Sequence, residues 1–334
     1  MSRTRWISRR AFLGSTAAAG LVLASGPRPL RAAQAVTVRL DFAPWGIHAA
    51  MHLAKEKGWF DEAGLDVEVQ DGKGTLNTIQ LVGAGQVQVG QVQLGPMAIA
   101  REKGLPVTSF AGFARKGDLA VLVDKDKGPN SAEELEGRKI ACFSASPWVP
   151  FIDPYLKAAG LSRDNVEVTM VAPPAMVSTY ASGDADGFMS LAPFGEPLVQ
   201  DTRPAKSLLA VEKGIHFPSY GLIATDETLA EEADALAKLA QIQVRAWEHI
   251  YAGNIDEAVQ AMMAQRPDGK LNEKSLSGQI ALYEDFFTTE ATADMAYGLQ
   301  TDADWELAIS SMVDAEVIEP GHKPGEYYTN DLLG

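Results

Sequence analysis

The chain has 334 residues, 46% hydrophobic and 22% charged, with 44 acidic against 29 basic side chains and a formal net charge of −15. That composition is globular, and the length is enough for two compact lobes rather than one core. The acidity excludes a phosphate-backbone partner, because binding nucleic acid needs clustered Lys and Arg to displace counterions.

Residues 1–35 hold six arginines and no acidic residue, so the remainder carries 23 bases against 44 acids, a balance of −21. A basic start, an apolar run from Ala11 to Ala24 and the small-x-small site Ala33-Gln34-Ala35 read as a cleavable export signal. Ser8-Arg9-Arg10-Ala11-Phe12-Leu13 resembles the motif read by the twin-arginine export machinery. The apolar run is too short to span a bilayer, and the expected product is an exported, periplasmic protein starting near Val36. Cys142 is the only cysteine, so no internal disulfide and no lipid-modified N-terminal cysteine is expected. Its place in the apolar stretch Lys139–Phe143 suits a small core residue better than a nucleophile.

In chain order, the patterning predicts strands at Val36–Leu40, Leu65–Val69, Val87–Gln91 and Val107–Phe113. Helices are predicted at His48–Lys57, Thr75–Val82 and Met97–Lys103 between them. This βαβαβ order implies a mostly parallel sheet flanked by helices. A strand at Leu119–Val123, a capping box at Ser131–Glu134 and a strand from Lys139 begin a second such series. From Asp226 onward only helices are predicted: Asp226 to about Tyr251, Ile255–Gln265, Ser275–Phe286 and Asp302–Val313.

A two-copy internal repeat supports two related lobes. Glu62–Val69 ends a helix at a glycine and enters a strand, as does Ala158–Val168, and each is followed about twenty residues on by a second match, Val82–Val89 and Ala181–Phe188. Ligands of such open sheets sit beyond the carboxyl ends of the strands, so the cleft between two facing lobes is the expected site. The loops there are Asp41–His48, Asp71–Thr75 with Gly74 and Thr75 at a helix start, Gln91 to Pro96 with Gln93, Ser144–Trp148 with Ser146, and Met189–Glu196 with Phe194. Rings, hydroxyls, amides and a carboxylate in these loops suit a flat organic ligand.

Several of these residues have two readings. Trp45 and Trp148, in proline-containing loops, suit either cleft or core. Glu196 reads as a cleft acceptor or a solvated helix residue. His48, His52 and Glu56 share one helix face at metal-ligand spacing, but no Cys or further His completes a site. No nucleophile elbow and no dinucleotide glycine motif appears, so catalysis has little support and neither metal nor cofactor is expected.

Leu40-Asp41-Phe42-Ala43-Pro44 through His48, then Ala54-Lys55-Glu56-Lys57-Gly58-Trp59-Phe60-Asp61-Glu62-Ala63-Gly64-Leu65-Asp66-Val67, resemble the opening of periplasmic substrate-binding proteins of the thiamine-pyrimidine/riboflavin and nitrate/sulfonate/taurine group. The likeness continues through Gly83–Val87, Leu135–Ile140, Gly183–Asp186 and Tyr328–Leu332. It implies a two-lobed, type II-like periplasmic-binding-protein fold of α/β class, with the ligand in the interlobe cleft. The expected partition is lobe 1 at 36–122 plus 226–334 and lobe 2 at 123–225, with crossovers near Arg115–Asp126 and Tyr220–Asp226.

The resemblance also implies a monomer delivering a small-molecule ligand to a membrane-embedded ABC permease. His48 is similar to the thiamine-pyrimidine and riboflavin-type branch, while Phe42 and Trp45 depart from its usual Trp and Asn. An exported enzyme resembling the related yeast-type pyrimidine synthase would need a cysteine-rich motif that a single cysteine does not supply. The expected roles are stacking for Trp45, Trp148, Phe113 and Phe194, and hydrogen bonding for His48, Gln93, Ser144, Ser146 and Tyr220. Glu196 is expected as an acceptor, Met189 as part of the wall, and Arg115 either as a partner for an anionic group or as a solvated hinge charge. Sulfonate, nitrate and aromatic carboxylate remain the alternative ligands.

Overall fold

The computed structural model describes residues 33–334. The arginine motif and apolar run of the expected export signal lie outside them. Gln34 and Ala35 already pair with Leu65 and Asp66. Ten strands are present among the described residues: β1 (Gln34–Leu40), β2 (Leu65–Gln70), β3 (Val89–Gln93), β4 (Val107–Gly112), β5 (Leu119–Asp124), β6 (Lys139–Cys142), β7 (Glu167–Met170), β8 (Gly187–Leu191), β9 (Ala205–Leu209) and β10 (Tyr220–Thr225). They form two five-stranded sheets, ordered β2-β1-β3-β10-β4 and β7-β6-β8-β5-β9.

In each sheet four strands run one way and one runs against them. The odd strand is β10 in the first sheet and β5 in the second. Each is the first strand laid down after the chain crosses between sheets. The central strands are buried on both faces and read as near-continuous small and apolar runs, LAVLVD in β5 and YGLIAT in β10. The edge strands β2 and β7 put Asp66, Glu68 and Glu167 into solvent, a charge pattern that discourages further strand pairing.

The sheet memberships move the lobe boundaries expected from the sequence. Residues 119–122 pair within the second sheet and 220–225 within the first, so the crossovers are 113–118 and 210–219. The first crossover meets the start of β10 where Phe113 N–H donates to Tyr220 C=O at 2.8 Å and Tyr220 N–H to Ala114 C=O at 3.1 Å.

Two further expectations shift. The third strand starts two residues late, because the helix Thr75–Gly83 unwinds through Gly85 N–H to Val82 C=O and Gln86 N–H to Leu81 C=O before the chain extends. Gln91 and Gln93 thereby fall inside a buried strand. Ser131 makes no cap bond to the short 3-10 turn Ala132–Leu135; Glu134 instead accepts from Asn130 N–H at 2.9 Å.

The C-terminal third is helical, as expected, with the first helix broken at Glu232 into Asp226–Glu231 and Ala233–Tyr251. The long helix buries Leu236, Leu239, Ala240, Gln243, Trp247 and Ile250 along one stripe at three- and four-residue spacing. No helix among the described residues is long and apolar enough to cross a membrane.

Candidate functional site

A cavity of about 380 Å³ lies where the carboxyl ends of the parallel strands of both sheets face each other. The first sheet supplies Asp41, Phe42, Ala43 and Trp45 after β1, Gly74 and Thr75 after β2, and Tyr220 at the start of β10. From the second come Phe143, Ser146 and Pro147 after β6, Pro173, Pro174, Met176 and Val177 after β7, and Ser190, Leu191, Phe194 and Leu198 at and after the end of β8. Rings meet across the gap: Trp45 stands edge-on to Phe194 at 5.1 Å between centroids, and Phe42 lies 5.8 Å from Phe143 and 6.2 Å from Phe194.

Among the described residues Asp41 is the one charged side chain on this wall, and no Lys, Arg or His lines it. Its Oδ1 lies 2.9 Å from His48 Nε2, while Oδ2 accepts from Thr75 Oγ1 at 3.0 Å and from the Tyr220 hydroxyl. Trp45 N–H donates to His48 Nδ1 at 3.3 Å, which leaves the proton on Nε2 to face the carboxylate. Burial first, and then the Asp41 charge, raise the Tyr220 hydroxyl well above the ordinary tyrosine range, so it stays a donor. The carboxylate is thus fixed by three donors, His48 Nε2, Thr75 Oγ1 and the Tyr220 hydroxyl, and among the described residues no Lys or Arg lines the wall beside it.

The loop after β2 closes on the second lobe. Gly74 has φ +126°, and a Cβ there would come within 2.4 Å of the Ala145 Cβ. Only glycine combines that backbone with so close an approach.

Of the residues expected at the site, Trp45, Gly74, Thr75, Ser146, Phe194 and Tyr220 line the cavity. His48 stands behind Asp41, fully buried. The other expected residues lie elsewhere, for reasons visible in their partners. Gln93 Nε2 donates to Asp118 at 2.8 Å and to Ser219 at 2.9 Å between the crossovers. Phe113 is core in the first crossover. Arg115 is buried against Ala296 C=O at 3.2 Å, and burial lowers its pKa; it does not reach the cavity wall.

Ser144 points to solvent. Trp148 is core, its Nε1–H donating to Ser190 C=O at 2.6 Å and its ring edge-on to Tyr155. Met189 is packed inside the second lobe while its neighbours Ser190 and Leu191 reach the wall. Glu196 accepts from Ser207 Oγ at 2.5 Å and faces a separate cavity of about 240 Å³.

The lining residues that the sequence reading did not select include Asp41, Phe42, Phe143 and, after β7, Pro173, Pro174, Met176 and Val177. The internal repeat carried a signal for the last. β7 is the counterpart of β2, so the loop after it must face the cleft as Gly74 does.

The histidine face expected to be incomplete as a metal site has other partners. His52 Nδ1 lies 2.9 Å from Gln265 Oε1, and burial lowers its pKa to about 4. Gln265 Nε2 also reaches Glu56 at 3.2 Å. Among the described residues no group of three His, Cys, Asp or Glu is placed to hold a metal ion.

A second polar cluster joins the crossovers. The Asp118 carboxyl, fully buried, accepts from Gln93 and from the Tyr283 hydroxyl, and burial pushes its pKa up to about 6. Burial also raises Tyr283 well above its ordinary range.

Two facing α/β lobes, an apolar cleft at their strand ends and paired crossovers define the periplasmic-binding-protein architecture. Residues 45–254 match the family model described as NMT1/THI5 like, and the chain belongs to that family. The formylaminopyrimidine-binding protein of Halalkalibacterium halodurans is 25% identical over 294 residues, covering 84% of each chain. The taurine-binding periplasmic protein of Escherichia coli is 28% identical over 176 residues, 51% of this chain and 52% of that one. Among solved structures, the periplasmic nitrate-binding protein of Synechocystis PCC 6803 superposes with a TM-score of 0.66 at 15% identity, covering 90% of this chain and 87% of that one.

Proposed function

We propose that this chain is the periplasmic solute-binding component of an ABC importer. It closes two lobes on a small aromatic or nitrogen-heterocyclic nutrient of the thiamine-pyrimidine or riboflavin kind. The observation that carries this reading is the cavity wall: rings and aliphatic groups on most sides and, among the described residues, a single fixed carboxylate and no basic side chain. Its volume of about 380 Å³ falls within the small-molecule range.

An anion entering such a cavity loses its water and meets a negative charge, whereas a ring bearing N–H donors or a positive charge is favoured. That argument sets sulfonate, nitrate and aromatic carboxylate behind the heterocycle. The protein is proposed to act as a monomer, exported by the twin-arginine machinery, and to hand its ligand unchanged to a membrane-embedded permease.

Thermal melting with a panel of solutes tests this. The panel comprises 4-amino-5-hydroxymethyl-2-methylpyrimidine, thiamine and riboflavin against taurine, nitrate and benzoate. A true ligand at a hundredfold excess over its Kd stabilises the fold by about 2.7 kcal/mol, and native mass spectrometry then shows its unchanged mass on the protein. Stabilisation by taurine or nitrate alone overturns the ligand class; turnover of the solute overturns the binding-protein reading.

A further inference from the structure

The helix Glu273–Tyr283, in the helical C-terminal third, buries Leu276, Gln279, Ile280 and Tyr283 along one stripe. Gln279 is the exception in chemistry, an amide only 2% exposed among apolar neighbours. A buried amide is costly unless both of its ends are bonded. Here both are, and to opposite sides of the cleft. Oε1 accepts from Gly46 N–H at 2.9 Å, in the turn after β1 of the first lobe. Nε2 donates to Phe194 C=O at 3.1 Å, in the helix after β8 of the second lobe.

The two backbone groups it joins belong to the ring-bearing segments of the cavity. Gly46 follows Trp45, and Phe194 carries the ring that meets Trp45 at 5.1 Å. The approach is close enough that a Cβ on Gly46 would lie 2.6 Å from the Gln279 Cβ. The rest of the helix reinforces the span. Gly278 leaves room for Pro197 of the second lobe, and the Tyr283 hydroxyl reaches Asp118 in the first crossover. One helix therefore touches the wall of each lobe and the hinge between them.

We infer that Gln279 is a positioning residue for ligand binding: its amide holds the Trp45 turn and the first turn of the Phe194 helix at the closed spacing and releases one of them when the lobes part. This rests on the lobe-closing reading of function but not on the identity of the ligand. Replacing Gln279 by Glu keeps the shape and the acceptor for Gly46 and, above the pH at which the buried carboxyl ionises, loses the donor to Phe194 C=O. Replacing it by Leu removes both bonds.

The test is interlobe distance measured by electron–electron double resonance on full-length mature protein. Spin labels go on cysteines at Asp66 and Asp164, both exposed, one on each lobe. The native Cys142 is buried, with its thiol pushed up to about 11, and does not take label. Without ligand, Gln279→Glu and Gln279→Leu are expected to move population from the short to the long distance at a melting temperature close to the parent's. If 4-amino-5-hydroxymethyl-2-methylpyrimidine binds the parent, its Kd in both variants weakens about tenfold, the size of one or two buried hydrogen bonds. Unchanged distance distributions in both variants overturn the inference, and so does a fall in melting temperature with distances unmoved. If the pyrimidine does not bind the parent, the ligand class fails while the distance measurement still decides the role of Gln279.

Discussion

The two lobes share one strand order and one placement of the antiparallel strand, yet they contribute unlike walls to the cavity. The first lobe brings the polar anchor, Asp41 held by His48, Thr75 and Tyr220, together with Trp45. The second brings Phe143, Pro147, Pro173, Pro174, Met176, Val177, Leu191, Phe194 and Leu198, with only the hydroxyls of Ser146 and Ser190 among them. A repeated scaffold thus carries divided labour. In the proposed function, the lobe with the charge would orient the polar edge of the ligand, and the apolar lobe would cover its faces.

The largest effect should come from the ring that belongs to both functions. Trp45 is buried against Phe194, Tyr220 and Tyr283, so Trp45→Ala is expected to cost about 3–5 kcal/mol in urea unfolding. Phe194→Ala, at a half-buried ring, should cost less while weakening binding as strongly. Equal losses of stability would break the division.

Next in size is the anchor itself. Asp41→Ala leaves buried donors on His48 and Tyr220 unpaired, for an expected loss of about 1–3 kcal/mol in thermal or chemical unfolding. Calorimetric titration should then show pyrimidine affinity lost and discrimination against taurine reduced. Ser190→Ala in the opposite wall should leave both nearly as they were. If the serine variant loses more affinity than the aspartate variant, the assignment of the polar role to the first lobe fails.

Gly74→Ala sharpens the comparison at the seam. It combines a strained backbone with a collision against Ala145, for an expected loss of about 1–2 kcal/mol together with weaker ligand binding. Gly85→Ala serves as the control, since its φ of +67° is also left-handed but nothing lies within 4 Å of the added carbon. It should reproduce the backbone cost without the loss of affinity, and matching affinities for the two variants would show that the seam does not govern closure.

A further contrast is a pH dependence at the hinge. Asp118 has its pKa raised from 3.8 to about 6 by burial, so the folded state favours the neutral acid. Its stabilising contribution is complete below pH 3.8 and is lost as pH rises through about 6. The melting temperature of Asp118→Asn minus that of the parent should therefore grow between about pH 4 and 6 and level off above. A difference that shrinks over that range would contradict the burial argument.

Much of the architecture was legible in the sequence because it rests on local patterning. Apolar runs located the first six of the ten described strands to within two residues, and the repeat at Gly64 and Gly160 marked the equivalent positions of β2 and β7, while β9 and β10 were not foreseen as strands. The site was legible only as a set of loops. Which side chain in a loop turns into the cleft depends on contacts far away in the chain. Trp45 and Trp148 occupy similar proline-containing loops, but Trp148 finds a carbonyl acceptor on Ser190 and an edge of Tyr155 behind the sheet, and Trp45 does not. Arg115 and Glu196 looked like free charges; Ala296 and Ser207, 181 and 11 residues away, take them up.

Composition, charge and periodicity by themselves determined the class: an acidic α/β chain with an arginine-rich start, two related lobes and a helical C-terminal third. Hydrophobic period and turn chemistry act over a few residues, and a linear string records them fully. The strands that change sheets, the carboxylate that faces the ligand and the glutamine that joins the lobes were decided only in three dimensions. Each depends on pairing between segments 34 to 233 residues apart, as in Thr75 with Asp41 and Gly46 with Gln279. Burial then gives those few polar groups their weight, because an amide or carboxylate removed from water must find its partner inside the fold.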